Sequence, residues 1–246
     1  MAKILMIGAT SAIAAKMAER YAQRDDHLYL IARSEPKLTA LRQRLGAAVV
    51  GFEIGDLTEI EAAEERVHRA LDSLGGLDVA VFAHGWLGDQ AATERTYRDA
   101  ESVLQTNLDS AIAMIIPVAN YLEAQGRGAI AVMSSVAADR GRPRNYTYAA
   151  AKGALNVYLQ GLRSRLYRAG VGVHTIRLGP ADTPMTADHP KNFLFADPDR
   201  VARDIIRVIE RGVSEAYVPW YWGPIMGVVR NLPEPVFQRF KFLAGR

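Results

Sequence analysis

Ser135, Tyr148 and Lys152 stand 13 and then 4 residues apart, a set that could move a proton at a carbonyl or alcohol oxygen. A Tyr-x-x-x-Lys step on a helix puts both side chains on one face, because positions i and i+4 are neighbours there. The Lys152 ammonium can then stand beside the Tyr148 hydroxyl. A unit charge about 4 Å away contributes roughly 4 kcal/mol at an effective dielectric near 20. At about 1.36 kcal/mol per unit, this would lower a phenol pKa from about 10 by up to about three units, less what solvent removes. The expectation is a tyrosine that works as an acid near neutral pH. The bland reading of the same pair is an amphipathic helix with a snorkelling lysine.

The elements around these groups are legible. Ala131-Val132-Met133-Ser134-Ser135 reads as a short apolar strand ending in hydroxyls, followed by a loop from Val136 to Asn145. A strand end followed by a helix is where open α/β sheets place ligands. Upstream, Lys3-Ile4-Leu5-Met6-Ile7-Gly8 has a buried-strand pattern and runs through Ala9-Thr10-Ser11-Ala12-Ile13-Ala14 into a helix ending near Arg24. Small residues there let backbone amides and a helix N-terminus face a phosphate. Strands are expected near residues 3 to 8, 27 to 32, 47 to 54, 77 to 83, 128 to 134, 171 to 178 and 215 to 218, with helical patterns between them. Such alternation calls for an α/β fold with a doubly wound, mostly parallel sheet of about seven strands, covered on both faces. The 246 residues, 49% hydrophobic and 23% charged, fit a single domain. The catalytic body is expected over residues 1 to 218 and a helical tail over 219 to 246.

Taken in order, these residues resemble the short-chain dehydrogenase/reductase family over about residues 3 to 218, which implies a Rossmann-like sheet and a nicotinamide cofactor. The family's Thr-Gly-x-x-x-Gly-x-Gly turn falls on Ile7 to Ala14; Gly8 is kept, while the threonine and two glycines are replaced. By this resemblance Gly8, Thr10, Ser11, Ala12 and Ile13 bind the cofactor. Gly55-Asp56-Leu57 is similar to the acidic element that contacts adenine, which assigns Asp56 and Leu57. The family's Asn-Asn-Ala-Gly falls on Phe82-Ala83-His84-Gly85, placing Ala83 and Gly85 at the cofactor and His84 as a substrate contact. Asn107 matches the helix asparagine of a water-linked proton relay to the lysine. Arg177 to Pro184 resembles the Pro-Gly to Thr segment, so Gly179 and Thr183 would meet the nicotinamide, Thr183 through its carboxamide. Ser135 would hold the carbonyl oxygen, Tyr148 donate the proton, and Lys152 also hold the nicotinamide ribose, so Tyr148 and Lys152 count as cofactor contacts too.

Local alternatives exist for several of these. Asn107 could bond nearby backbone, Ser135 could cap a turn with Ser134 taking its place, and Asp56 could cap a helix starting at Thr58. Arg33 ends the second strand, where an acid would bond a ribose 2′-hydroxyl and a base would accept a 2′-phosphate. NADP (NADPH) is therefore the expected cofactor, with Ser11 adding a bond to that phosphate; the competing reading of Arg33 is a solvated helix-start arginine.

Thirty basic against 27 acidic residues, net +3, and the lack of basic stretches with interleaved aromatics argue against nucleic acid. The absence of cysteine excludes disulfides and thiolate chemistry. No metal is called for. The apolar run before Thr10 is too short for a signal-peptide core, so a cytoplasmic location is expected. After Tyr217, Val218 to Arg230 is aromatic and apolar but shorter than the roughly 20 residues that span a bilayer. Val236, Phe237, Phe240 and Leu243 follow at helical spacing, with Arg239, Lys241 and Arg246 supplying positive charge. This suits an interfacial helix and peripheral contact with the inner membrane face; a dimer interface or a flap over the substrate pocket competes with it. The tail and the Gly-Ala-Thr-Ser-Ala-Ile-Ala turn are similar to a bacterial subgroup of the family that includes the reductase subunit of decaprenylphosphoryl-arabinose epimerase, which implies a keto-sugar on a polyprenyl phosphate.

The expected activity is an NADPH-dependent reduction of a small-molecule or lipid-linked carbonyl, or oxidation of the alcohol. Met185 to Ala196 would shape the substrate pocket, and a homo-oligomer would form through the two long helices after Ser102 and Tyr146. The competing readings are a non-catalytic NADP-binding sensor or partner subunit, and an epimerase or dehydratase using its cofactor transiently.

Overall fold

The computed structural model describes residues 1–186 and 194–239. Its strands are β1 (Lys3–Ile7), β2 (His27–Ala32), β3 (Val49–Ile54), β4 (Val79–Phe82), β5 (Gly128–Ser135), β6 (Val171–Leu178) and β7 (Glu215–Val218). Its helices are α1 (Ala12–Ala22), α2 (Glu35–Leu45), α3 (Ala63–Leu74), α4 (Gln90–Thr93), α5 (Tyr97–Leu104), α6 (Ser110–Gln125), α7 (Tyr146–Leu166), α8 (Pro198–Glu210), α9 (Trp222–Asn231) and α10 (Glu234–Arg239). The seven strands pair in the order β3-β2-β1-β4-β5-β6-β7, every pair parallel. Each lies within two residues of its expected ends.

Alternation along the central strands explains why they read as unbroken apolar runs. In β1, Ile4 and Met6 enter one core while Leu5 and Ile7 enter the other. Residues of α1, α2 and α8 close the first core, and residues of α3, α6 and α7 close the second. Burial on both faces leaves no position for a polar residue. Residues 97–125 are long and apolar enough to cross a membrane by length and composition, but Ala111, Met114, Ile115, Val118 and Leu122 of that stretch are buried in the second core.

Parallel pairing brings the C-terminal ends of all strands to one side. The strand order reverses between β1 and β4, so the crevice that such sheets use for ligands opens there. The tail docks at the same side. Trp222, Met226 and Val229 of α9 and Phe237 of α10 bury together with Val136, the residue after β5.

Candidate active site

Ser135, Tyr148, Lys152 and Asn107 converge at the ends of β4 and β5. Ser135 has extended backbone, and its Oγ accepts from the Ala137 N–H at 3.1 Å, capping a short 3₁₀ turn over Val136–Asp139. Its hydroxyl also acts on the Tyr148 hydroxyl, lowering that pKa, so the turn cap also stands at Tyr148. Ser134, its competitor, is buried and its Oγ has no partner. In α7 the buried positions Tyr148, Ala151, Lys152, Leu155 and Leu159 form one face, which draws both functional side chains inward by the i, i+4 rule.

Burial sets both pKa values. Desolvation pushes Tyr148 up to about 12, against the Ser135 hydrogen bond that lowers it. Desolvation also brings Lys152 down to about 8. The expected lowering of the tyrosine by the lysine is therefore not found. The Lys152 ammonium instead donates to the Met133 carbonyl at 3.2 Å, and both groups lose water together, so the desolvation effect prevails over pairing.

Asn107 is fully buried in a π-turn over Gln105–Asp109, between α5 and α6. Such turns recur at functional sites. Its Nδ2 donates to the carbonyls of Trp86 at 2.7 Å and Val103 at 2.9 Å, and its Oδ1 accepts from the Trp86 N–H at 3.1 Å. A Cβ on Gly85 would stand 2.9 Å from Asn107 Oδ1 and 3.4 Å from Lys152 Nζ. Gly85 thus lets the asparagine and the lysine approach one stretch of backbone. His84 Nε2 pairs with Ser110 Oγ at 3.0 Å, and burial, helped by Lys152, lowers its pKa to about 3. It is a neutral histidine anchored to α6 rather than the substrate contact expected of it.

The opposite end of the crevice is open. The N–H groups of Gly8 and Ala9 both donate to the Ile31 carbonyl, at 2.9 and 3.0 Å. Gly8 has φ +80°, and a Cβ there would lie 2.5 Å from His84 N, so the one retained glycine is also the one the backbone requires. Ser11 caps α1, its Oγ accepting from Ala14 N–H at 3.2 Å. That bond uses only an acceptor lone pair and leaves the Ser11 O–H able to donate. Among the described residues, no backbone group accepts from the N–H of Ala12 or Ile13, the arrangement a phosphate needs at a helix start. The Ile13 side chain itself is in the first core.

Arg33 is exposed just past β2. Thr10 lines a hollow with Ala15, Lys37, Ala40, Leu41 and Arg44; the sequence reading missed Lys37 and Arg44, whose signal was the basic character of α2. Asp56 Oδ1 accepts from Thr58 N–H at 2.9 Å and Oγ1 at 2.8 Å. The Thr58 N–H holds this carboxyl below the usual range, with Arg33 adding to the effect. Asp56 closes this turn instead of capping a helix at Thr58; the following 3₁₀ turn starts only at Ile60. Leu57 packs against the second core and Ala83 against the first.

At the far side, Gly179 donates its N–H to Val218 O at 3.0 Å. A Cβ on Gly179 would fall 2.0 Å from Trp222 Nε1. Trp222 is 7% exposed, and its indole N–H has no partner. The sequence reading treated it only as part of an aromatic tail. Thr183 precedes a 3₁₀ turn over Pro184–Thr186, its carbonyl accepting from Thr186 N–H at 3.0 Å. Within the expected pocket segment, 187–193 lie outside the described residues, as do Phe240, Lys241, Leu243 and Arg246 of the tail. Where the segment resumes, Tyr221 donates its hydroxyl to Leu194 O at 3.1 Å, tying it to the tail.

The sequence pattern of the short chain dehydrogenase family matches residues 2–192. An uncharacterised oxidoreductase of Streptomyces coelicolor is 33% identical over 241 residues, 96% of this chain and 94% of that protein. An uncharacterised oxidoreductase of Mycobacterium tuberculosis is 30% identical over 241 residues, 97% of this chain and 96% of its own. Among solved structures, a short-chain dehydrogenase from Streptomyces avermitilis superposes with a TM-score of 0.80 at 20% identity, covering 93% of this chain and 94% of that one.

Proposed function

Because the chain belongs to the short-chain dehydrogenase/reductase family, we propose that this oxidoreductase is NADP(H)-dependent and reduces a carbonyl to an alcohol, or the reverse, with Tyr148 as its acid/base. The observation that carries this reading is the convergence of Ser135, Tyr148, Lys152 and Asn107 in a site where the last three are buried. The nicotinamide cofactor of this family supplies or accepts the hydride when bound. Ser135, fixed by the Ala137 N–H, orients the substrate oxygen beside the Tyr148 hydroxyl. Tyr148, with its pKa near 12, keeps its proton until that oxygen gains negative charge, then releases it there. Lys152, near 8, exchanges protons with solvent at physiological pH and restores the tyrosine. Asn107 holds the backbone at Trp86 and so keeps Gly85 against the lysine.

The residues present fit a dinucleotide. Gly8 lets the turn before α1 pass tightly against the His84 backbone, and the N–H groups of Ala12 and Ile13, with no backbone acceptor among the described residues, suit a pyrophosphate at a helix start. The preference for NADP is supported by Arg33, exposed at the end of β2, together with Lys37 beside Thr10; Arg44 in the same hollow also pairs with Glu19 at 3.4 Å. A dimer through α6 and α7 is supported by Ile116, 45% exposed, and Val157, 67% exposed. For the substrate, a lipid-linked keto-sugar remains within this proposal, supported by the half-buried Tyr221 and Ile225 at the rim of the cluster of Trp222, Met226 and Val136. Exposed Trp220 and Val228 beside that cluster offer a face for peripheral contact with the cytoplasmic side of a membrane.

The test is the thermal midpoint with NADPH, NADH and neither, since a ligand that binds only the folded state stabilises it. A larger rise with NADPH is expected. No rise with either dinucleotide overturns the proposal.

A further inference from the structure

The loop between Ser135 and Tyr148 carries three arginines with different fates. Arg140 is satisfied: Nη1 donates to Val229 O at 2.8 Å and Leu232 O at 2.6 Å, Nη2 meets Glu234 at 2.6 Å, and the guanidinium lies 4.0 Å from the Phe237 ring centre. It fastens the tail. Arg144 is exposed to water. Arg142 is half-buried and has neither solution. Among the described residues its one hydrogen bond runs from Nη2 to the Met226 thioether at 3.5 Å, and its buried Nε has no partner there.

Asp139, the described acid whose charge acts on Arg142, is already engaged. Asp139 pairs with Arg177 and accepts from the Tyr217 hydroxyl at 2.7 Å. Burial and Arg144 both disfavour the charge on Arg142, with Asp139 acting against them from a distance. Removing a guanidinium from water without a carboxylate is unfavourable, and a ligand anion would reverse that through charge-assisted, bidentate hydrogen bonds. Asn145 closes this turn, its N–H donating to Arg142 O at 3.0 Å, which fixes the backbone that carries the guanidinium. The contact with Met226 places Arg142 at the apolar cluster that also holds Val136, next to Ser135, and Trp222, against Gly179.

We propose that Arg142 binds an anionic group, a phosphate or a carboxylate, carried by the carbonyl substrate, whose apolar part meets the half-buried rim of this cluster at Tyr221 and Ile225. This rests on the reductase reading, and its test separates the two. Hexyl phosphate, hexanoate and hexanol are added to the NADPH-saturated protein, so that the cofactor's own phosphate sites are filled, and the thermal midpoint is followed. One or both anions should raise the midpoint beyond hexanol, and which of them does so identifies the anion class. Arg142→Gln should keep the NADPH shift and weaken anion binding about tenfold. Equal anion effects in wild type and variant, or hexanol matching both anions, overturn the proposal. A measurement that needs no variant is phenylglyoxal labelling of Arg142, read by peptide mass. Hexyl phosphate or hexanoate should slow it and hexanol should not; absence of protection by either anion overturns the proposal. If NADPH gives no shift while Arg142-dependent anion binding persists, the reductase reading falls and the anion site stands.

Discussion

At one end of the crevice Asn107 is 0% exposed, Lys152 3% and Tyr148 8%; at the other, Arg33, Lys37 and Arg44 stand in water. The two ends belong to the same row of strand termini, yet different forces act on them. Desolvation is the leading cause of the shifts at Tyr148 and Lys152, whereas at Asp56 the leading cause is a single hydrogen bond from Thr58 N–H. Where water is excluded, the fold alters proton affinities and so prepares chemistry. Where water remains, basic groups keep their charge in solvent, and charged groups of this kind can pair with a phosphate. In the proposed function the dry end would carry the reaction and the wet end the binding.

Substitutions at the two ends should therefore have separable effects. Tyr148→Phe is expected to reduce turnover about a thousandfold, within the range for loss of a positioned acid, while the midpoint shift with NADPH is retained. A loss of NADPH binding in that variant would merge the two ends into one.

Lys152 gives the next largest effect, through pH. Its pKa is about 8 in the fold against 10.5 for the free side chain, a difference on the order of 3 kcal/mol at about 1.36 kcal/mol per unit. Below pH 8 both states hold the proton and the folded state carries the full penalty. From about pH 8 to 10.5 the unfolded chain binds the proton that the folded chain has released, so stability rises with pH. Lys152→Met should melt above wild type at pH 6, with the gap closing as pH approaches 10.5. A pH-independent gap would show that the ammonium is solvated.

Gly8→Ala places a Cβ 2.5 Å from His84 N at a φ of +80°. It should destabilise the fold by about 2 kcal/mol, read as a lower denaturation midpoint, because backbone stands on both sides of the clash. Arg33→Ala should be the mildest: about tenfold weaker NADPH binding from loss of a charge-assisted contact, with NADH binding and turnover at saturating cofactor unchanged. A drop in saturated turnover would show that the wet end also shapes the reaction.

The amino-acid sequence by itself determined the strands and their parallel arrangement, which periodicity records, and the Tyr148–Lys152 step, which short spacing records; Ser135 and Asn107 joined that set through the family resemblance. Only the tertiary structure decided that Trp222 lies over Gly179, that Lys37 and Arg44 share a hollow with Thr10, and that Arg142 meets the Met226 thioether. It also decided the direction of the Tyr148 shift, because charge proximity follows from an i, i+4 step but the loss of water does not. Desolvation is a sum over every element that closes around a group, and no local spacing contains that sum.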